Sequence, residues 1–386
     1  MIVVVEEEGV TPVELLLDHE RFSTAVALVE RTVSSRDTIP ALTGILLEAG
    51  EGGGSGVRLT ASDLEMGVTT QIEADVRAPG RVLLPGRLLS SIVRRLPGGD
   101  VRLATDGSGV VHLTSGASRF QLRALDPSDF PTLPQVEGGP WQVDARLLRE
   151  GLERTEFAAS PEESRPVLSG VLVEVEGGHF RAVATDSSRL AFYQVPLVPP
   201  EEGAEVSAEP LHVLVPGRSL GEVRRLLAGL EEPVVLRVSE HHVSFQTSTF
   251  LFFSRLIEGV FPDYRRVFPK EQQVRLTVDR LALLEALERI ALVSRKGPAV
   301  VRLQVDGELQ LESHGAEAGQ ASESVPVEEL EGAGRTAYQV RYLTEVLRVL
   351  STPQVRFAFS EGDHPGTIEP VGEEGYTYVV MPVRLP

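Results

Sequence analysis

HVLVPGRSLGEVRRLLAGLEEPVVLRV, residues 212–238, is a second copy of a stretch already met in the chain, RVLLPGRLLSSIVRRLPGGDVRLAT at 81–105. Both read as an apolar strand, a Pro-Gly-Arg turn, a run with helical spacing of apolar residues, and strands of alternating pattern. A more distant third copy, AYQVRYLTEVLRVLSTPQVRFAF, spans 337–359. What precedes each copy also repeats. VALVERTVSSRDTIPALTGILLEA (26–49), LREGLERTEFAASPEESRPVLSGVLVEV (148–175) and LEALERIALVSRKGPAVVRLQV (284–305) each join a helix-period run to an apolar alternating run, with Arg31, Arg154 and Arg289 at matching places. A repeat of this size decides the fold before any single motif does.

Each unit therefore holds two helices and roughly eight short strands. Boundaries fall at turn-rich or polar stretches, LPQVEGGP (133–140) and FPKEQQV (268–274). The expected fold class is α+β, as three tandem domains over residues 1–136, 137–271 and 272–386, each with two helices backed by antiparallel sheets.

Composition narrows the function. The 386 residues are 42% hydrophobic and 24% charged, ordinary for a globular protein. No apolar run approaches the ~18 residues that a membrane span needs. The opening MIVVVEEEGV has no basic region and no long apolar core, so it reads as no secretory signal, and a cytoplasmic protein is the simplest expectation. Cys is absent, which excludes disulfides, thiolate metal sites and cysteine nucleophiles. A formal net charge of −19 argues against a surface coated for nucleic acid, although not against a local basic face.

Several motifs suggest catalysis and fail on inspection. GRSLG (217–221) fits the G-x-S-x-G nucleophile elbow. The first repeat has GRLLS (86–90) there, with Leu88 in place of Ser219, so what recurs is the start of a helix. GEGGGSG (50–56) lacks the Lys and Ser/Thr of a phosphate loop and reads as a flexible hairpin connection. His241 and His242 are adjacent on a strand and point to opposite faces, which disfavours a shared metal. Asp63 and Asp186 occupy matching turns, ASD and ATD, where a carboxylate bonds nearby backbone N–H groups. No catalytic constellation, metal site or cofactor is expected.

Positive charge gathers on the second helix of each repeat: Arg87, Arg94 and Arg95; Arg218, Arg224 and Arg225; Arg341 and Arg348. Only Glu222 and Glu345 oppose them there. Basic residues also stand in the connection after each first helix, at Arg36, Arg165, Arg295 and Lys296. One such helix is an ordinary solvated amphipath. Three on equivalent helices make a shared surface, and Arg without interleaved aromatics suits phosphate contact rather than base readout.

With repeats, basic helices and acidic remainder established, the chain resembles the bacterial DNA sliding clamps, the β subunits of the replicative DNA polymerase III. The resemblance runs through the whole chain and is sharpest in LTASDLEMGV (59–68), ALDPSDFPTLP (124–134), VATDSSRLA (183–191), SRLIEGVFPDYRRVFPK (254–270) and VVMPVRLP (379–386). It implies a head-to-tail homodimer closed into a six-domain ring, with helices lining the hole and sheets outside. The function implied is that of a processivity factor with no catalytic activity. The ring would encircle double-stranded DNA without sequence preference and tether the replicative polymerase catalytic subunit, the clamp loader complex, repair and translesion polymerases and mismatch-repair proteins. Arg36, Arg94, Arg95, Arg165, Arg224, Arg225, Arg295 and Lys296 are the DNA-facing residues expected.

The resemblance also gives VATDSSRLAFYQV (183–195) a role. In the family this segment belongs to a pocket that receives short Gln- and Leu/Phe-containing peptides. Leu168, Thr185, Ser187, Ser188, Arg189, Leu190, Pro262, Arg266, Val267, Val379, Met381, Pro382 and Val383 match it here. Apolar members provide a cavity for anchors, and Thr185 and Arg189 are expected at its rim. Relatives often carry Gly-His where this chain has Ser187-Ser188, and RPV (165–167) replaces aromatic residues that touch DNA in some of them. The implied dimer interface sets Phe120 and Leu122 of one subunit against Leu292 and Val293 of the other; taken alone, these residues read equally well as core. Against the clamp stand an enzyme using Ser219 or Asp186, and a monomeric scaffold that binds peptides without DNA.

Overall fold

The computed structural model describes residues 13–35, 38–50, 56–106, 108–162, 164–197, 207, 209–293, 298–315 and 319–384. Arg36, Arg295, Lys296, Pro386 and most of the 50–56 connection lie outside the described residues. The six helices among them are α1 (His19–Val29), α2 (Gly86–Val93), α3 (Ala145–Thr155), α4 (Gly217–Leu226), α5 (Arg280–Ala291) and α6 (Val340–Val349). They come in three pairs, two to a repeat, as the sequence predicts.

The repeats share a local cause for each helix. Asp18, Asp144 and Asp279 end a strand and cap α1, α3 and α5, accepting the backbone N–H of Arg21, Leu147 and Ala282 at 3.0, 3.0 and 2.7 Å. Each such cap is worth about 1 kcal/mol. α2 and α4 instead follow a proline, Pro85 or Pro216, with no side-chain cap. All six helices bury an apolar stripe, for example Phe22, Val26 and Val29 in α1 and Leu283, Leu287 and Ile290 in α5.

The described strands form four antiparallel sheets, and two of these cross the repeat boundaries. In an eight-stranded sheet Phe250–Arg255, from the middle repeat, pairs with Met66–Glu73 of the first. In a nine-stranded sheet Arg189–Pro196, from the middle repeat, pairs with Tyr376–Val380 near the C-terminus. The chain consequently clusters into two compact units. One is built from the described residues up to Gln142 with Glu232–Arg255, the other from Val143–Glu231 with Leu256 onward. Periodicity does not foresee this division, because a strand's alternation names its buried face and not the strand beside it.

In the first unit α1 packs on α2 and on Met66–Glu73. In the second, α3 lies on Arg189–Pro196 and beside α4, while α5 packs on α6. The second unit also holds a four-stranded sheet with Gly319–Val325 and Gly334–Gln339 at its edges.

Candidate functional site

The hairpin His179–Thr185 and Arg189–Pro196 turns through Asp186-Ser187-Ser188. Its geometry follows from side chains that bond their own backbone. Asp186 Oδ1 accepts the N–H of Ser188 and of Arg189 at 2.9 and 3.1 Å, and Thr185 Oγ1 donates to the Arg189 carbonyl at 2.6 Å. Asp63 does the same in the first repeat, accepting the N–H of Glu65 and Met66 at 3.1 and 2.9 Å. Both aspartates are turn residues, as expected from the sequence.

Beside this turn the second unit opens a cavity of about 490 Å³. Ten of the thirteen docking residues read from the sequence line it: Leu168, Thr185, Ser187, Arg189, Leu190, Pro262, Arg266, Val267, Val379 and Met381. Its floor is a buried cluster of Val183, Leu190, Tyr264 and Val379, with Phe192, Phe261 and Phe268 packed against it. Ser188 contributes differently: its carbonyl accepts the Met381 N–H at 2.8 Å and so fixes the end of the last strand to the turn. Pro382 and Val383 line a separate hollow of about 510 Å³, with Arg302, Arg335 and Arg384.

The segment from Tyr264 to Glu271 supplies wall residues that sequence reasoning missed, Tyr264, Phe268, Pro269, Lys270 and Glu271, as do His364 and Pro365. The run FPDYRRVFPK contains most of them and was the available signal. Tyr264 is buried, and its hydroxyl donates to Glu174 at 2.9 Å. Burial and that bond to a carboxylate push the phenol up to about 12. Glu174 also takes His212 Nδ1 at 2.9 Å, so a buried carboxylate beneath the cavity has its charge shared by several donors.

Arg189 is not the rim cation that the sequence suggests. Its side chain is 2% exposed. Nε donates to Asp186 at 3.1 Å, Nη2 to the Phe157 carbonyl at 2.7 Å, and Nη1 to Glu345 of α6. The guanidinium also stacks 5.4 and 4.7 Å from the ring centres of Phe157 and Tyr342. A short sequence window shows an Arg beside polar neighbours; it does not show Glu345, which lies 156 positions away. The exposed cations at the cavity are Lys270 and Arg266, whose side chain is 86% accessible and pairs with Asp263 at 2.8 Å.

No group of three or more His, Cys, Asp or Glu among the described residues is placed to hold a metal. Ser219 is buried in the first turn of α4, without the exposure a nucleophile elbow requires. Nothing in this arrangement activates a nucleophile or moves a proton. An apolar, partly open cavity with a few fixed polar groups is suited to binding.

The comparisons with known proteins agree along the whole chain. Residues 13–134, 142–263 and 265–384 match the family models for the N-terminal, central and C-terminal domains of the DNA polymerase III beta subunit. The chain belongs to that family, the bacterial sliding clamps. It is 36% identical to the beta sliding clamp of Synechocystis sp. over 389 residues, covering 96% of this chain and 99% of that one. The DNA polymerase sliding clamp of Bacillus subtilis, a crystal structure, superposes with a TM-score of 0.90 at 30% identity over 97% of this chain and 100% of that one. A Pseudomonas aeruginosa sliding clamp bound to griselimycin gives 0.90 at 32% identity with the same coverage. The three domains are clamp domains, and the protein is a processivity factor rather than an enzyme.

The arginines on the second helix of each clamp domain are largely engaged. Arg94 faces Glu30 at 3.6 Å, Arg224 bonds Glu156 at 2.7 Å, and Arg348 bonds Glu288 at 2.6 Å, so an ion pair joins α5 to α6 and others link the segments at the ends of the earlier helices. Arg225 is held by Glu222 at 2.5 Å and Arg341 by Glu345 at 2.7 Å. Arg95 donates to the Ser91 carbonyl at 2.9 Å, and Arg165 is exposed in the turn before Leu168. Of the interface residues, Leu292 is 76% exposed just beyond α5 and Phe120 is 36% exposed on Ser118–Arg123, an edge strand. Val293 is half-buried, and Leu122 is buried, part of the first unit's own core. No helix among the described residues is long and apolar enough to cross a membrane.

Proposed function

We propose that this clamp docks short partner peptides in the cavity beside Asp186-Ser187-Ser188 while its arginine-bearing helices face an encircled DNA duplex. The observation that carries the docking reading is the convergence of Leu168, Leu190, Val379 and Met381, from three separate chain segments, on one apolar hollow with Ser187 and Arg266 beside it. Leu or Phe anchors of a peptide gain from such burial at roughly 25 cal/mol per Å². Replicative and repair polymerases, the clamp loader complex and mismatch-repair proteins are the partners this reading assigns, in the cytoplasm.

For the ring, the reading sets Phe120 and Leu122 of one subunit against Leu292 and Val293 of its partner. The exposure of Phe120 on an edge strand and of Leu292 supports a heterologous contact that closes on itself. Leu122, two residues on from Phe120 and therefore on the same face of that strand, is buried in its own subunit. On the DNA side, arginines already held by Glu30, Glu156, Glu222, Glu288 and Glu345 leave little free charge. A weak, sequence-blind grip follows, which suits a ring that must slide. Domain limits at 136 and 271 remain part of this reading.

The test is a fluorescence titration with the peptide Gln-Leu-x-Leu-Phe, alongside light scattering of the free protein. Saturable micromolar binding is expected, together with a mass twice the 41.9 kDa of one chain. No binding would overturn the docking reading, and a monomer mass at micromolar concentration the ring.

A further inference from the structure

We infer that Glu345, which lies on α6 and outside the cavity, is the positioning residue that holds the docking turn in its binding shape. This inference rests on the docking reading above and deepens it. The chain of contacts is short. Glu345 accepts from Arg189 Nη1 on one oxygen and from Arg341 Nε at 2.7 Å on the other. Arg189 in turn bonds Asp186 at 3.1 Å, and Asp186 bonds the N–H of Ser188 and Arg189. The Ser188 carbonyl then holds the Met381 N–H at 2.8 Å. Ser187 and Met381 line the cavity; Glu345 does not.

The two partners of Glu345 differ in kind. Arg189 is 2% exposed at its side chain and Arg341 is 67% exposed. An exposed pair in water fixes little, whereas a buried guanidinium without its carboxylate is left poorly solvated and must shift. The Phe157 carbonyl, from the turn after α3, and the Tyr342 ring, one helical turn before Glu345, complete the socket. These groups lie on α6 or in the turn after α3. Only Asp186 comes from the docking turn, so this one guanidinium ties that turn to α6 and to the turn after α3. Ser187 has a positive φ of 77°, and Asp186, which Arg189 holds, accepts the two N–H groups that follow it.

The experiment compares wild type, Glu345→Gln and Arg341→Ala in the full-length protein. Glu345→Gln keeps the shape and removes the charge. It is expected to raise the Kd for Gln-Leu-x-Leu-Phe by about tenfold, the usual coupling scale within one hydrogen-bond network. Arg341→Ala removes only the exposed partner and is expected to leave the Kd within about twofold. Amide hydrogen exchange is the second readout. In Glu345→Gln the amides of Ser187, Ser188, Arg189 and Met381 should exchange faster, while those of Leu211–Pro216 stay as in wild type. An unchanged Kd with unchanged exchange at the turn would overturn the inference. So would a uniform rise in exchange across the unit, which marks general loosening. Failure of wild type to bind the peptide would count against the docking reading instead, and the exchange comparison would still decide what Glu345 holds.

Discussion

Leu64 and Ser187 share one backbone conformation at matching turns of the first two repeats, with φ of 75° and 77°. Neither is glycine, and each follows an aspartate that bonds the next two N–H groups. The left-handed region costs a residue with a side chain about 1–2 kcal/mol. Glycine there removes that cost but frees the unfolded chain by roughly 0.4–1 kcal/mol. Ser187→Gly is therefore expected to hold or raise stability by about 0–1 kcal/mol, with peptide affinity retained. Thermal melting checks it; a loss of stability would mean that the Ser187 side chain supports the turn.

Arg189→Ala removes a guanidinium from between Asp186, Glu345 and the Phe157 carbonyl, taking one donor from each. Breaking a buried pair from one side costs about 3–5 kcal/mol, and the partial exposure of Asp186 and Glu345 puts this case at the low end. Arg189→Lys is expected to fall close to Ala, since an ammonium lacks the planar fork that reaches three directions. Circular-dichroism melts of both variants decide this. A lysine variant as stable as wild type would show that charge alone suffices.

Tyr264→Phe tests the carboxylate beneath the cavity. The ring stays in the floor against Phe192, whose centroid is 5.9 Å away, so peptide affinity should hold. Glu174 loses its 2.9 Å donor while remaining buried, which costs about 1–3 kcal/mol. Denaturation together with peptide titration separates the two effects. A large loss of affinity with little loss of stability would place the hydroxyl in the docking contact itself.

The fold was legible in the sequence to the depth of its repeats. The Pro-Gly-Arg turns at 85–87 and 216–218 announce α2 and α4, and the alternating runs announce the strands around them. The strand pairing of Phe250–Arg255 with Met66–Glu73 was not legible, because nothing local in FLFFSR names its neighbour. The site divides the same way. Its apolar wall was readable from Leu168, Leu190 and Val379, and its turn from Asp186. The burial of Arg189 depends on Glu345 and Phe157, which reach it from distant parts of the chain, so the residue's surroundings emerge only on folding.

Glu156, in the turn after α3, and Glu345, on α6, give opposite pH signatures. Burial, only partly countered by Arg224, raises Glu156 above the usual carboxylate range. For Glu345 burial works in the same direction, but the hydrogen bonds from Arg341 and Arg189 overcome it and hold the carboxyl low. A depressed carboxyl stabilises the fold above its unfolded pKa and loses that contribution as pH falls through the folded value. A raised one contributes below the unfolded pKa and loses it as pH rises through the folded value. Glu345→Gln should thus lower stability near neutrality and converge on wild type in acid. Glu156→Gln should match wild type in acid and gain on it as pH rises toward neutrality. Urea melts from pH 3 to 7 check both, and matching profiles for the two variants would refute the assignment.

The arginines of the second helices divide into held and available ones, and DNA retention should follow that division. Arg224 and Arg225 are tied to Glu156 and Glu222 at 2.7 and 2.5 Å, so a phosphate must compete with a carboxylate already in place. Arg87 and Arg95 are exposed and have no carboxylate partner among the described residues; Arg95 meets only the Ser91 carbonyl. Every phosphate left without its arginine should lower the log–log salt slope of binding by about 0.9. Replacing Arg87 and Arg95 by Ala is accordingly expected to flatten the slope by up to about 2, and replacing Arg224 and Arg225 by less. Retention on nicked circular DNA across a salt series measures this, with peptide affinity as the control that the fold is intact. Equal effects from the two pairs would show that the carboxylates yield freely to phosphate. No effect from either would turn these helices away from the duplex.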